Sequence, residues 1–304
     1  MGFSACDIFS SYSTLRLYTT SVNLFILGLP IFCQSRCVER RLLLRVIFMT
    51  NSLYFAALIA LIGACLGSFA NVAALRTLRG QDWVKQASAC FHCGKKLAFF
   101  DNLPVFGFLR HGGASGCCGQ KLPRRYLYVE LAMAAVLVLA FHQLALPVFL
   151  SFVPFIVLLG VIFLTDLEAF IIPDWASLGG TALGLGLALF ASPGLPHITH
   201  AIGGGLGGFA LIYIINASYK LWRGHDGMGF GDVKLMAMLG VWLGPVALLP
   251  ILFAASISGA FFGIVAMRGK NQQTGPAQLP FGCFLTPMAL IWLLFAPQLL
   301  SAAQ

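Results

Sequence analysis

Two carboxylates stand where an apolar chain should carry none: Asp166 in Phe-Leu-Thr-Asp-Leu-Glu, and Asp232 in Gly-Met-Gly-Phe-Gly-Asp-Val-Lys-Leu. An unpaired acid near hydrocarbon costs roughly 2.5–3.5 kcal/mol on insertion scales, so its presence asks for a functional explanation. Two carboxylates that meet can hydrolyse an amide. One, ionised, deprotonates a water; the other, neutral, polarises the scissile carbonyl. Gly229 and Gly231 beside the second acid let a peptide backbone approach closely. Lys234, two residues beyond Asp232, either tunes the pair or anchors the interface. The competing reading is local, because Asp ahead of an apolar run is a favoured helix N-cap. Asp174, directly after Pro173, fits that cap role better than Asp166 or Asp232 does. Glu168 follows Asp166 by two positions, which on a helix turns it away towards solvent.

A second group with chemistry is the set of thiols Cys90, Cys93, Cys117 and Cys118. Cys-x-x-Cys followed by another pair some way downstream reads as a structural zinc site of four thiolates. In a reducing compartment a metal is favoured over a disulfide. The second pair is irregular, since adjacent side chains diverge. Both can face one ion only through an unusual turn, for which Gly116 and Gly119 are placed, or with His92 or His111 as a substitute ligand. A metal-free loop with chance thiols is the alternative. Cys6, Cys33, Cys37, Cys65 and Cys283 read as inert small apolar residues.

The elements that must position these groups are membrane helices. Of 304 residues 59% are hydrophobic and 10% charged, and the mean hydropathy is +0.88; soluble domains carry about 25% charged residues. The apolar runs are long, without the alternating segments of an outer-membrane barrel. The expected fold is an all-α polytopic bundle of about eight spans, near 53–74, 127–146, 148–165, 175–193, 199–221, 233–248, 247–267 and 282–301. The clustered glycines Gly203, Gly204, Gly205, Gly207 and Gly208 predict close helix packing. The net charge of +9 does not point to nucleic acid, because no Lys or Arg lies between Arg125 and Lys220. The basic residues gather in a few loops, the pattern that sets membrane topology. With the basic segment 75–126 in the cytoplasm, the loops bearing Asp166 and Asp232 fall on the same, cytoplasmic, side.

Domain organisation follows from the same runs: an N-terminal extension over 1–51, a first span over 52–74, a cytoplasmic loop domain over 75–126 and a membrane core over 127–301. The extension does not fit the rest. Arg36, Arg40, Arg41 and Arg45 flank the first span on what should be its outer side. It reads as a disordered addition, or as an extended reading frame ahead of a native start at Met49.

Several ordered motifs together resemble the type IV prepilin peptidases, bifunctional leader peptidases and N-methyltransferases of pilus and type II secretion systems. They are Gly67-Ser-Phe-Ala-Asn71-Val, Cys90-x-x-Cys93 with Asp101-Asn102-Leu-Pro104, Arg125-Tyr-Leu-Tyr-Val-Glu130, Asp166 through Ile172-Pro173-Asp174, and Gly229-Phe-Gly-Asp232-Val-Lys234-Leu. The resemblance implies that Asp166 and Asp232 are the catalytic aspartates, supported by Gly229, Gly231 and Lys234. It implies that Cys90, Cys93 and Cys118 are three of four metal-binding cysteines. The fourth should fall at Ser115, so Cys117 replaces it with a change of register, or the site is weakened. Cleavage after a glycine in a short basic leader, then methylation of the new N-terminus with S-adenosylmethionine as cofactor, is implied as well. So are prepilin or pseudopilin substrates, a bacterial inner-membrane location, and a part for Asp101, Asn102 and Glu130 in methyl transfer or leader binding. Surrounding lipid is the other partner. A proton- or cation-coupled transporter using the two acids is the alternative, and a non-catalytic membrane scaffold a second one; an inverted repeat would favour the transporter, and none is evident in the sequence.

Overall fold

In the computed structural model the described residues are 31–81, 93–95, 103–225, 227–268 and 280–302. Of the N-terminal extension, residues 1–30 lie outside them. Among the described residues the architecture is helical, with no strand beyond one isolated bridge between Ala114 and Lys121. The same residues form nine α-helices: α1 Ile31–Leu78, α2 Phe106–Arg110, α3 Arg125–Gln143, α4 Leu146–Ala169, α5 Asp174–Leu189, α6 Ile198–Arg223, α7 Phe230–Leu243, α8 Leu248–Arg268 and α9 Gly282–Ala302. The chain divides into two units, Met1–Asn51 and Ser52–Gln304, and the second holds both aspartates and the thiol cluster.

Among the described residues five segments are long and apolar enough to cross a bilayer: Leu53–Leu78, Arg125–Gln143, Leu146–Ala169, Ile198–Arg223 and Pro245–Val265. The protein is therefore an all-α polytopic membrane protein. α5 and α7, at 16 and 14 residues, are shorter; α7 is buried along most of its length, whereas α5 buries one face, through Ala176, Ser177, Gly180, Gly184 and Ala188. The sixth and seventh apolar runs, which merge in the sequence, are parted by Gly244 at φ 81 and a 3-10 turn over Pro245–Ala247. A left-handed backbone followed by proline cannot continue a helix.

The centre of the bundle is α7. Its side chains Val233, Leu235, Met236, Met238, Leu239, Val241 and Trp242 are all buried. Glycines on the neighbours make this possible. Gly204 on α6 and Gly240 on α7 face each other so closely that a Cβ on Gly204 would lie 2.2 Å from the Gly240 carbonyl oxygen. Gly208 meets the Met236 carbonyl in the same way, whereas Gly203 faces open space. On α5, Gly184 makes room for Trp242, whose Nε1 donates to the Gly180 carbonyl at 2.8 Å. The indole also stacks on Phe155 of α4 at 4.9 Å between centroids. Small residues that bring backbones together replace the hydrophobic driving force that lipid cannot supply. Here they lock α6 and α5 against α7, the helix that begins with Asp232.

Candidate active site

Asp166 lies in the last turn of α4 and is 4% exposed; Asp232 lies in the first turn of α7 and is 8% exposed. α4 stops because Phe170 turns left-handed, at φ 57, with its N–H donating to the Asp166 carbonyl at 3.0 Å. Residues 171–173 then lead into α5, and Ile172 comes to rest between the two acidic turns. Gly231 lacks a Cβ that would meet Ile172 Cβ at 3.0 Å, and Gly282 one that would meet Ile172 Cδ1 at 3.2 Å. The carboxylates of Asp166 and Asp232 are near enough to couple electrostatically.

Each acid has its own set of donors. The Cys283 backbone N–H, at the start of α9, donates to Asp166 Oδ2 at 2.8 Å, and the Gly282 N–H and Cys283 thiol also bond to that carboxylate. A Cβ on Gly282 would lie 2.9 Å from Asp166 Oδ2, so glycine is what admits the acid to this helix end. A helix N-terminus offers unpaired N–H groups and a partial positive charge, a ready anion seat. Asp232 is the third residue of α7, behind Gly229 as N-cap, and its side chain accepts the Gly229 N–H. That is the reciprocal half of a capping box. The cap reading of Asp232 thus describes a real contact, one that stands beside the electrostatic coupling to Asp166.

Lys234 reaches Asp174 Oδ1 at 2.6 Å and lies over the Phe230 ring at 5.1 Å, so it ties the start of α7 to the start of α5. Asp174 itself is not the cap expected of it. The N-cap of α5 is Pro173, with no side-chain cap bond; Asp174 is the first helical residue and pairs with Lys234. Glu168 pairs with Arg125, joining the end of α4 to the start of α3.

The turn that leads into Gly229 and Gly231, the N-cap and second residue of α7, is held by a residue that sequence reasoning passed over. Asn216 of α6 accepts the N–H groups of Gly227 at 2.9 Å and Met228 at 3.0 Å through its Oδ1. Cys283, expected to be inert, was missed for the same reason: nothing in its own type signals a role. The signal is the Pro280-Phe281-Gly282 turn that starts α9 at the acid.

The thiols of Cys93, Cys117 and Cys118 lie within 4.8 Å of one another. Zinc–sulfur bonds of about 2.3 Å in a tetrahedron need sulfurs on the order of 3.8 Å apart, so this set has the spacing to hold such an ion. The adjacent pair is accommodated by a tight turn: the Ser115 N–H donates to the Gln120 carbonyl and the Gly119 N–H to the Ser115 carbonyl, both at 2.8 Å, with Gly119 at φ 67. Ser115 does not point away from the cluster; its Oγ is 3.2 Å from Cys117 Sγ. Cys90, His92, Asp101 and Asn102 lie outside the described residues. Glu130 is brought to neither acid. It is buried in α3, where its Oε2 accepts the Val105 N–H at 2.8 Å. Val105 holds φ 63 there, a conformation that β-branched residues rarely adopt.

Two family profiles match the chain: the bacterial Peptidase A24 N-terminal domain over residues 61–144, and the type IV leader peptidase family over residues 153–264. Among similar curated proteins is a prepilin leader peptidase/N-methyltransferase of Pseudomonas putida, 30% identical over 265 residues, covering 79% of this chain and 91% of that protein. Proteins of the same name from Dichelobacter nodosus and Klebsiella pneumoniae are 34% identical over 219 residues and 33% over 201, covering 70% and 64% of this chain and 72% and 87% of theirs. No solved structure matches significantly.

Proposed function

Because the chain belongs to the type IV leader peptidase family and is a membrane peptidase, we propose that it cleaves prepilin-like substrates with Asp166 and Asp232 as an aspartyl pair. The observation that supports this reading is the electrostatic coupling of two buried carboxylates, from helices distant in sequence, in the last turn of α4 and the first turn of α7. Asp166, which accepts the Cys283 and Gly282 N–H groups, is the ionised member and takes a proton from water. Asp232, with the single Gly229 donor, is the neutral member and gives its proton to the scissile carbonyl oxygen. The water oxygen bonds to the carbonyl carbon, and a tetrahedral diol results. As it collapses the carbon–nitrogen bond breaks, the proton held by Asp166 passes to the leaving amine, and one diol hydroxyl returns its proton to Asp232, which restores the pair. The products are a leader ending in a carboxylate and a chain with a free N-terminal amine.

The finer expectations belong to the same reading. Cleavage follows a glycine in a short basic leader, at the cytoplasmic edge of the inner membrane, where water reaches the pair. Gly229, Gly231 and Lys234 support the acidic turn. The Cys93, Cys117 and Cys118 thiols hold a structural zinc ion that staples the 75–126 loop. S-adenosylmethionine, when bound, supplies a methyl group to the amine that cleavage exposes.

The test is incubation of purified protein with a prepilin, with the products identified by mass. The reading expects a leader fragment ending in glycine from wild type and none from Asp166→Asn or Asp232→Asn. Normal cleavage by either variant refutes the pair.

A further inference from the structure

A buried polar cluster between α1 and α3 has no part in peptide hydrolysis. Glu130 is 6% exposed, accepts the Val105 N–H at 2.8 Å, and is hydrogen-bonded by the Ser68 hydroxyl. No ion-pair partner faces it among the described residues. Gly67 brings α1 against it, since a Cβ there would lie 3.0 Å from Glu130 Cα. Asn71 is four residues beyond Gly67 and three beyond Ser68, so it shares their face of the helix. It is 0% exposed, and neither its Oδ1 nor its Nδ2 has a hydrogen-bond partner. Native proteins rarely leave a buried carboxamide with both ends unpaired.

The groups on offer have a definite complement. A carboxylate without a cation among the described residues and an amide oxygen without a donor both accept, and an ammonium provides donors and a compensating charge together; the Asn71 Nδ2 group needs an acceptor, which the carbonyl or carboxylate next to an α-amine supplies. The cluster also lies within residues 61–144, apart from the 153–264 match that contains both aspartates. We propose that Ser68, Asn71 and Glu130 form a site for a primary amine, used in the methyl-transfer half of the function proposed above, on which this inference rests. Two amines have the required chemistry: the N-terminus exposed by leader cleavage and the α-ammonium of S-adenosylmethionine.

Calorimetric titration of full-length protein in lipid nanodiscs tests this. The ligands are S-adenosylmethionine, a peptide with the sequence of a mature pilin N-terminus, and the same peptide N-acetylated. Asn71→Leu and Glu130→Gln, the second keeping shape while removing charge, should each weaken one free amine at least tenfold, with the thermal unfolding midpoint confirming folded protein. Loss on the peptide arm assigns the site to the substrate, and acetylation of the peptide should then mimic the variants on wild type. Loss on the S-adenosylmethionine arm assigns it to the cofactor. If Asn71→Leu does not fold, Glu130→Gln decides. Binding of both amines within twofold of wild type by the folded variants overturns the site and leaves the cluster a structural or hydrated one. Wild-type protein that binds neither amine overturns the methyl-transfer reading itself, and the site with it.

Discussion

The backbone N–H of Cys283 donates to Asp166 Oδ2 at 2.8 Å across 117 residues of sequence. Through this bond the start of α9 holds the acid that ends α4, while Asp232 has only the N-cap amide of its own helix. Two carboxylates with unequal donors can take opposite protonation states, as an acid–base pair requires. Substitutions in the parts that keep this arrangement in place have distinct expected effects.

Gly282→Ala should lower kcat by at least about tenfold, because a Cβ 2.9 Å from Asp166 Oδ2 must displace the carboxylate. Its unfolding midpoint should fall far less than kcat does, since the added Cβ meets only the ends of two side chains, Asp166 and Ile172, and no backbone. Steady-state kinetics beside a thermal melt separates the two effects, and an unchanged kcat contradicts the seat assigned to Asp166.

Gly240→Ala should destabilise the bundle by about 1–3 kcal/mol or more, because its Cβ would fall 2.0 Å from the Gly204 carbonyl oxygen. Gly203→Ala, on the open side of α6, should leave the melting temperature unaltered. Equal melting temperatures for the two variants would show that α6 and α7 are not in this contact.

Asn216→Ala removes the acceptor for the Gly227 and Met228 N–H groups. At roughly 0.5–1.5 kcal/mol for each bond, the variant should remain folded while the turn before Asp232 loosens. Faster amide exchange at Gly227 and Met228 with a reduced kcat is the expected outcome; unchanged exchange contradicts the assignment.

Cys93→Ser should lower zinc, measured by elemental analysis of purified protein, from about one ion per chain to a small fraction of that. Wild-type protein purified without chelators and free of zinc would leave the thiols a metal-free cluster.

The sequence was most legible where physics leaves little choice. Asp166 and Asp232 stood out because charge in apolar segments is costly, and the glycines of α6 because a row of them favours close packing, which Gly204, Gly205 and Gly208 make and Gly203 does not. The helices follow the apolar runs, and where two runs merged, Gly244 and Pro245 parted them. What escaped were partners of ordinary type. Cys283 and Asn216 act through backbone geometry set by tertiary contacts, which no local pattern encodes. Asp174 was misjudged because Pro173 itself occupies the N-cap, leaving Asp174 one place inside the helix and free to pair with Lys234. Asn71 was visible as part of a motif, but its lack of partners emerges only once α1 lies on α3.

The central claim is that Asp166 and Asp232 work as one acid–base unit, and a double-mutant cycle on cleavage rate reads this most directly. Asp166→Asn and Asp232→Asn should each reduce kcat by about a thousandfold or more, and the double variant should be scarcely worse than either. Losses that multiply, or a single variant that retains cleavage near the wild-type rate, would contradict it.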